Sequence, residues 1–332
     1  MSLPATEIPL GAMRFNSDSQ KLEYFNGDIW MQVHTFSPDL NGGARGLFFG
    51  RAEPTVTNRT DYITIPTAGN AIDFGDMNGD GYTYSTTASN VRGICAGGSP
   101  GHANVIDGFT FSSLGYVTDL GNLTSSRWLM GGGCSNQTRS IFTGGSTLGS
   151  PNPIVNTLDY ITTASGGDAK DFGDQSVARR MQASVNSSTR GLWAGGYNPS
   201  YINTIDYVQI ATTGNATDFG DQTHVCGESA GVCNSTRGVI TGGGNSGYRA
   251  RMDYITIATT GNATRFGDLL AERRSHGACS STIRGVVGGA YPNTNSMEYI
   301  TIATEGDSVD FGDLTASGHN AGATSNAHGG LG

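Results

Sequence analysis

The sequence predicts an all-β fold built from six repeated four-stranded units behind a short N-terminal β module. Three observations predict it. Glycine is the outlier of the composition, with 51 residues against 10 prolines, and only 14% of positions are charged; such a chain is poor in helix formers and rich in turn formers. The glycines recur in a fixed register among Ile, Val, Tyr and Phe, which argues for order rather than a flexible low-complexity chain. Finally, an Arg-Gly or Arg-Ser pair opens a short apolar segment ending in glycine six times over. The arginines are Arg45, Arg92, Arg139, Arg190, Arg237 and Arg284, spaced 47, 47, 51, 47 and 47 residues apart. A period of this size marks repeated supersecondary units.

The elements of one unit follow in order. The segment Arg190-Gly191-Leu192-Trp193-Ala194-Gly195-Gly196 reads as a buried strand closed by a glycine doublet. Next, Asp206-Tyr207-Val208-Gln209-Ile210, like Asp253-Tyr254-Ile255-Thr256-Ile257, alternates apolar and polar residues as a half-buried strand does. A Gly69-Asn70, Gly214-Asn215, Gly261-Asn262 or Gly306-Asp307 dipeptide then suits a tight hairpin, because it tolerates positive φ. A further strand ends in Asp218-Phe219-Gly220-Asp221, with equivalents at Phe74, Phe172, Phe266 and Phe311. The small-residue run His276-Gly277-Ala278-Cys279-Ser280-Ser281 leads into the next Arg. Small side chains suit the crowded innermost position, so this run is the first strand of a unit and the Arg strand the second. Four strands in about 45–50 residues match a propeller blade, which predicts a six-bladed β-propeller over residues 44–332. The first unit has no clear inner strand before Arg45, whereas the last overruns into 319–326. The C-terminal strand is therefore expected to complete the first blade, leaving no open edge.

Residues 1–43 lie outside the repeat. They read as short strands turning at Asn16-Ser17-Asp18 and at Asn26-Gly27-Asp28, both clusters of turn formers. A module this small buries too little to stand alone, so it is expected to attach or oligomerise the chain by packing on a partner.

Several function classes are disfavoured. The net charge is -9, and no Lys/Arg cluster offers a surface for nucleic acid. No apolar run approaches the roughly 20 residues of a spanning helix, so no membrane insertion is expected. The N-terminal residues lack the basic and apolar regions of a secretory signal, which implies synthesis in the cytoplasm. The five cysteines, Cys95, Cys134, Cys226, Cys233 and Cys279, have no zinc-ribbon spacing. Cys95 aligns with Phe142, Trp193 and Ile240, and Cys134 and Cys279 align with Thr87 and Val185, so they read as packed strand residues. No helix follows a glycine cluster to cradle phosphate, and His102, His224, His276 and His319 lack metal-ligand spacing. No nucleophile elbow is present, so an enzyme is not expected, nor is a cofactor. One calcium-like run, Asp76-Met77-Asn78-Gly79-Asp80-Gly81, supplies Asp76, Asn78 and Asp80 as weak candidate ligands. Its twelfth position, however, is Thr87 where a bidentate Glu belongs.

Residues present in every unit must answer a need every unit shares. The six Arg and the Phe-Gly-Asp turns are accordingly expected to pair guanidinium with carboxylate between blades. Function should sit where the units differ, after the glycine doublet and after the Phe-Gly-Asp turn. In a four-stranded meander these two connections emerge on one face. That face is expected to carry Tyr197, Asn198, Tyr201, Tyr248, Arg249, Arg251, Tyr291 and Asn293, with His102, Arg179, Arg180, Arg273 and Arg274. Flat amphipathic rings and adaptable polar groups suit recognition.

The units resemble the kelch repeat: a Gly-Gly doublet, an acidic-Tyr pair, a later aromatic, then Arg or His before the inner strand, as in Gly288-Gly289, Glu298-Tyr299, Phe311 and His319. They depart from it in carrying Phe where kelch repeats have Trp. The second unit is degenerate, with Asp107-Gly108-Phe109 and Leu120-Gly121-Asn122. The N-terminal stretch resembles a module of phage tail-fibre and other virion proteins through Gly11, Arg14, Phe15, Asn16, Glu23, Tyr24, Asn26, Gly27 and Trp30. These resemblances imply a virion structural protein of tail-fibre or tip type. Its N-terminal module would join other virion proteins, it would form a homo-oligomer, and its propeller face would bind a host-surface receptor, a glycan among the candidates. The alternatives are a capsid or neck decoration protein, a kelch-type adaptor outside the virion, and a sugar-acting propeller enzyme.

Overall fold

The computed structural model describes residues 8–16, 21–32, 44–52, 55–100, 103–113, 115, 117–148 and 151–331. The chain divides into two compact units, Met1–Gly43 and Ala44–Gly332.

In the first unit, strands Met13–Asn16, Lys21–Phe25 and Trp30–Gln32 form a three-stranded antiparallel sheet in sequence order. Pairing of Met13 with Tyr24, Phe15 with Leu22, and Tyr24 with Met31 places five apolar side chains on one face; all five are exposed. The opposite face is polar and interlocked. Arg14 Nε donates to Glu23 Oε2 (2.8 Å), Asn16 Nδ2 donates to Glu23 Oε1 (2.9 Å), and the Arg14 guanidinium lies 4.2 Å from the Trp30 ring centre. Asn26 Oδ1 accepts the N–H groups of Asp28 and Ile29, which fixes the second turn. The first expected turn, at 16–18, lies partly outside the described residues.

The second unit is all-β. Its only helix among the described residues is the single 3-10 turn Gly329–Leu331. It holds six four-stranded antiparallel sheets, here numbered in chain order. The fourth is representative: Ala183–Asn186, Arg190–Ala194, Thr204–Gln209 and Thr217–Asp221 lie side by side in that order. In the first sheet the innermost strand is supplied by the C-terminus, where Gly322–Ser325 pairs with Arg45–Arg51 in the register Gly322↔Phe49 to Ser325↔Gly46.

The core lies between sheets. Six apolar clusters occur, each drawn chiefly from two consecutive sheets, and one joins the sixth to the first through Phe48, Ile63, Met297 and Phe311. Trp193, Phe48 and Phe142 are among the largest fully buried side chains, each burial stabilising by about 2–3 kcal/mol. All five cysteines are free and buried. Cys95 faces Asp107 in the same register as Phe142 facing Asp159 and Trp193 facing Asp206.

The repeated motifs join sheet to sheet. Backbone of the hairpin Gly docks on the Phe of the preceding sheet, Gly214 N–H to Phe172 O (2.7 Å), Gly261 to Phe219 (2.8 Å) and Gly69 to Phe311 (2.7 Å). The Asn beside it accepts the N–H of the turn Asp, as Asn70 Oδ1 does from Asp313 (3.0 Å). Glycine is required in the Phe-Gly-Asp turn at this approach. Gly312 has φ +136°, and a Cβ there would lie 2.5 Å from Gly69 O.

The expected pairing of the six repeat arginines with aspartates is not what forms. Arg45, Arg139, Arg190, Arg237 and Arg284 stack on Tyr62, Tyr160, Tyr207, Tyr254 and Tyr299 of their own sheets. All six donate to backbone carbonyls of the next sheet, for example Arg190 to Ala258 O (2.8 Å) and Arg284 to Pro66 O (2.7 Å). The guanidinium spans a carbonyl-lined gap between sheets and needs no carboxylate there. Arg92 lacks the ring because Gly108 stands in the tyrosine position.

Candidate functional site

One residue at the head of each innermost strand adopts the left-handed conformation: Thr83, Leu129, Met181, Glu228, Ser275 and Asn320, with φ between 50° and 59°. Their backbones bond in sequence. Thr83 N–H donates to Asn320 O (3.1 Å), Asn320 to Ser275 (2.6 Å), Ser275 to Glu228 (2.7 Å), Glu228 to Met181 (2.8 Å) and Met181 to Leu129 (3.1 Å). Leu129 N–H reaches the Thr83 hydroxyl (3.4 Å). Below them is a cavity of about 150 Å³ lined by the innermost strands of all six sheets, mostly Gly, Ala, Ser and Thr. At the opposite end sits the C-terminal segment. His328 Nε2 lies 3.3 Å from Ser135 Oγ and from Ala88 O, and burial lowers its pKa to about 4. Gly330 packs so closely that a Cβ would collide with Ser135 O.

Just before the left-handed residues, Tyr82, Arg180, Arg274 and His319 form bridges with Ser99, Tyr197, Tyr291 and Ala52, which follow the strands ending in glycine. These bridges bring the two variable connections together at the cavity mouth. Arg180 lies over Tyr197 (5.0 Å), which meets Tyr201 edge-on (5.3 Å). Tyr201 Oη donates to Glu228 Oε1 (3.2 Å), and Arg274 Nη1 donates to the same oxygen (3.3 Å). Ser275 Oγ donates to the other oxygen. Arg274 also lies 5.3 Å from both the Tyr248 and Tyr291 rings, which contact each other at 5.7 Å. Tyr291 meets His319 at 5.3 Å, and His319 Nδ1 pairs with Asn293 Oδ1 (2.7 Å). Desolvation, then the Glu228 charge, raises the Tyr201 pKa, so the phenol stays a donor. With its oxygens held by three donors, Glu228 presents a fixed acceptor rather than a free base.

Tyr197, Tyr201, Tyr248, Tyr291 and Asn293 therefore fall in one cluster with Arg180 and Arg274. Arg249 is not brought into it: it opens the strand Arg249–Thr256, paired with Arg273. Asn198 only shapes its loop, its N–H bonding Ser200 O (2.8 Å). His102 lies outside the described residues. Glu228 is the member sequence reasoning missed. Its signal was present: in the column Thr83, Leu129, Met181, Glu228, Ser275, Asn320 it is the single charged residue.

Three other expected site arginines belong to the scaffold. Each sheet carries one acidic residue in equivalent register, Asp61, Asp107, Asp159, Asp206, Asp253 or Glu298. Arg179 pairs with Asp206 (2.8 Å) and Arg273 with Glu298, all buried, as Arg51 and Arg127 pair with Asp61 and Asp159. These guanidiniums face inward because a buried carboxylate needs a buried cation. In the fifth sheet Cys226 takes the place of that arginine, and Arg251 serves instead, its Nε 3.0 Å from Asp253 Oδ1. Burial opposes ionisation of Asp253, but bonds from His224, Thr223 and Arg251 outweigh it and lower the pKa.

Asp107 alone of the six has no guanidinium. Its carboxylate accepts from Asn78 Nδ2 (3.1 Å), and burial raises its pKa to about 6. Among the described residues, no three His, Cys, Asp or Glu side chains are grouped to hold a metal. No family model matches the chain, and no curated protein matches it in sequence.

Proposed function

We propose that the six sheets are the blades of a closed, kelch-like β-propeller, and that the chain is a non-enzymatic virion protein of tail-fibre or tip type. It binds a host-surface receptor through the mouth of the propeller channel. Closure is supported by the sequential backbone bonds among the six left-handed residues, by the apolar cluster joining the sixth sheet to the first, and by the C-terminal strand in the first sheet. The virion assignment is supported by the resemblance of residues 11–30 to virion modules, whose shared Arg14, Asn16, Glu23 and Trp30 interlock on one sheet face.

The observation that carries the binding role is the Tyr197–Tyr201–Glu228–Arg274–Tyr248/Tyr291 cluster. Flat rings and preorganised donors concentrate where the repeats diverge, and such groups contribute contact area at low entropic cost. The apolar face of the N-terminal sheet, with Met13, Phe15, Leu22, Tyr24 and Met31 exposed, is where attachment or self-association would occur. Immunogold microscopy of purified particles tests the location: label on the tail supports the reading, label on the head makes this a decoration protein, and no label refutes the virion role. Tyr201→Ala and Tyr248→Ala particles should adsorb to host cells more weakly than the parent while holding the same amount of the protein.

A further inference from the structure

We propose that the ligand taken at this mouth is an acidic carbohydrate, its sugar rings lying on the tyrosines and its carboxylate or sulphate meeting Arg180. The inference rests on the binding role above and specifies its ligand. The chain as a whole is acidic, with net charge -9, yet the mouth gathers cations. Arg180 donates to Ser146 Oγ (3.3 Å) and stacks on Tyr197, and Arg274 lies against Tyr248 and Tyr291. Arg180 makes no ion pair among the described residues, whereas Arg51, Arg127, Arg179, Arg251, Arg265, Arg273 and Arg274 all do. The carboxylate bonded within the cluster, Glu228, is already shared by Arg274, Tyr201 and Ser275. A partly desolvated guanidinium fixed against an aromatic ring, with no internal counter-ion, is set to receive an external anion.

The carbohydrate half of the inference comes from the rings. Tyr197, Tyr201, Tyr248 and Tyr291 form two edge-to-face pairs bridged by the Glu228–Arg274 pair. The half-buried rings offer apolar area beside fixed donors and acceptors, which matches a sugar's C–H face and its flanking hydroxyls better than an apolar peptide or lipid.

The test is affinity electrophoresis of the intact protein in gels containing polygalacturonate, dextran sulphate, neutral dextran or polyphosphate. Retardation by polygalacturonate or dextran sulphate is expected, the stronger of the two identifying carboxylate or sulphate as the anion. It should weaken with added salt and fall about tenfold in Arg180→Gln, while Arg59→Gln, changed outside the cluster, binds as the parent does. Equal melting temperatures of both variants and parent would exclude a folding defect. Equal retardation by polyphosphate would reduce the site to a non-selective anion patch and overturn the proposal. Equal, salt-indifferent retardation by dextran would overturn the acidic ligand and leave the binding face standing. If no polymer retards the protein, the proposal fails; the binding face itself fails only if Tyr201→Ala particles also adsorb normally.

Discussion

The environment of Asp107 has a measurable consequence for stability. Five of the six equivalent acidic residues carry a guanidinium; among the described residues Asp107 has the Asn78 amide in its place, burial penalises its charge, and Asp119 adds like charge nearby. Its carboxyl therefore holds its proton up to about pH 6, against an ordinary value of 3.8. A folded-state pKa above the unfolded one means that the folded chain binds the proton more tightly. The associated stability is present below pH 3.8 and is lost as pH rises to about 6, beyond which the ionised carboxylate is a constant burden. The separation corresponds to about 3 kcal/mol. Water reaches this half-buried group, and discounting for that screening leaves about 1–2 kcal/mol. Asp107→Asn keeps the shape and the acceptor for Asn78 but removes the charge. The variant should be about 1–2 kcal/mol more stable than the parent at pH 7.5 and equal to it at pH 4. Urea unfolding at pH 4, 5, 6 and 7.5, with tryptophan fluorescence as the probe, measures the difference. A stability gap that is the same at every pH, or a less stable variant at pH 7.5, would refute the reasoning.

Three further outcomes are expected. Arg179→Met strands the buried Asp206 carboxylate and should cost about 3–5 kcal/mol, whereas Arg179→Met combined with Asp206→Leu should recover most of it; thermal melting of both variants decides. Deleting residues 319–332 removes the strand paired with Arg45–Arg51 and exposes its edge, so the truncated chain should aggregate, while deletion of 327–332 should leave a folded chain by circular dichroism. Phe15→Ser with Met13→Ser, both on the exposed apolar face, should lower the oligomeric state measured by light scattering without changing the melting of the second unit.

Much of the architecture was legible in the sequence because it repeats. The Arg spacing marked the units, the small-residue runs marked the strands that line the cavity, and the unpartnered first unit signalled that the overrun at 319–326 would complete it, as Gly322–Ser325 does by pairing with Arg45–Arg51. The partners of the repeated charges were not legible. Arg179 and Arg273 sit in variable connections, so their position suggested recognition, yet they turn inward to buried carboxylates. Arg127, Arg179 and Arg273 do recur, each two residues before the left-handed residue, with Cys226 in their place in the fifth unit. Arg51 and Arg251 instead come from the second and third strands of the sheets that hold their carboxylates. With the cation drawn from three sequence positions, and its carboxylate set by register across sheets, the pairing could not be read from the period.

The same reasoning explains why Glu228 was hidden and why it matters. Every innermost strand begins with a residue at φ near +55°, whatever its side chain. Threonine, leucine and methionine hold this conformation at a cost of about 1 kcal/mol or more each, so the surrounding backbone bonds impose it and the side chain does not. That frees the column to vary. Where backbone geometry is fixed by the fold and side-chain identity is not, chemistry can change without unfolding the scaffold, and the one carboxylate in the column sits against Tyr201, Arg274 and Ser275. Replacing it with glutamine preserves two of those contacts but leaves the Arg274 guanidinium without its counter-charge. Glu228→Gln should therefore strengthen binding of an acidic polymer at the mouth, where Arg180→Gln weakens it, and opposite signs from two isosteric or near-isosteric changes in one cluster are hard to obtain from a folding defect.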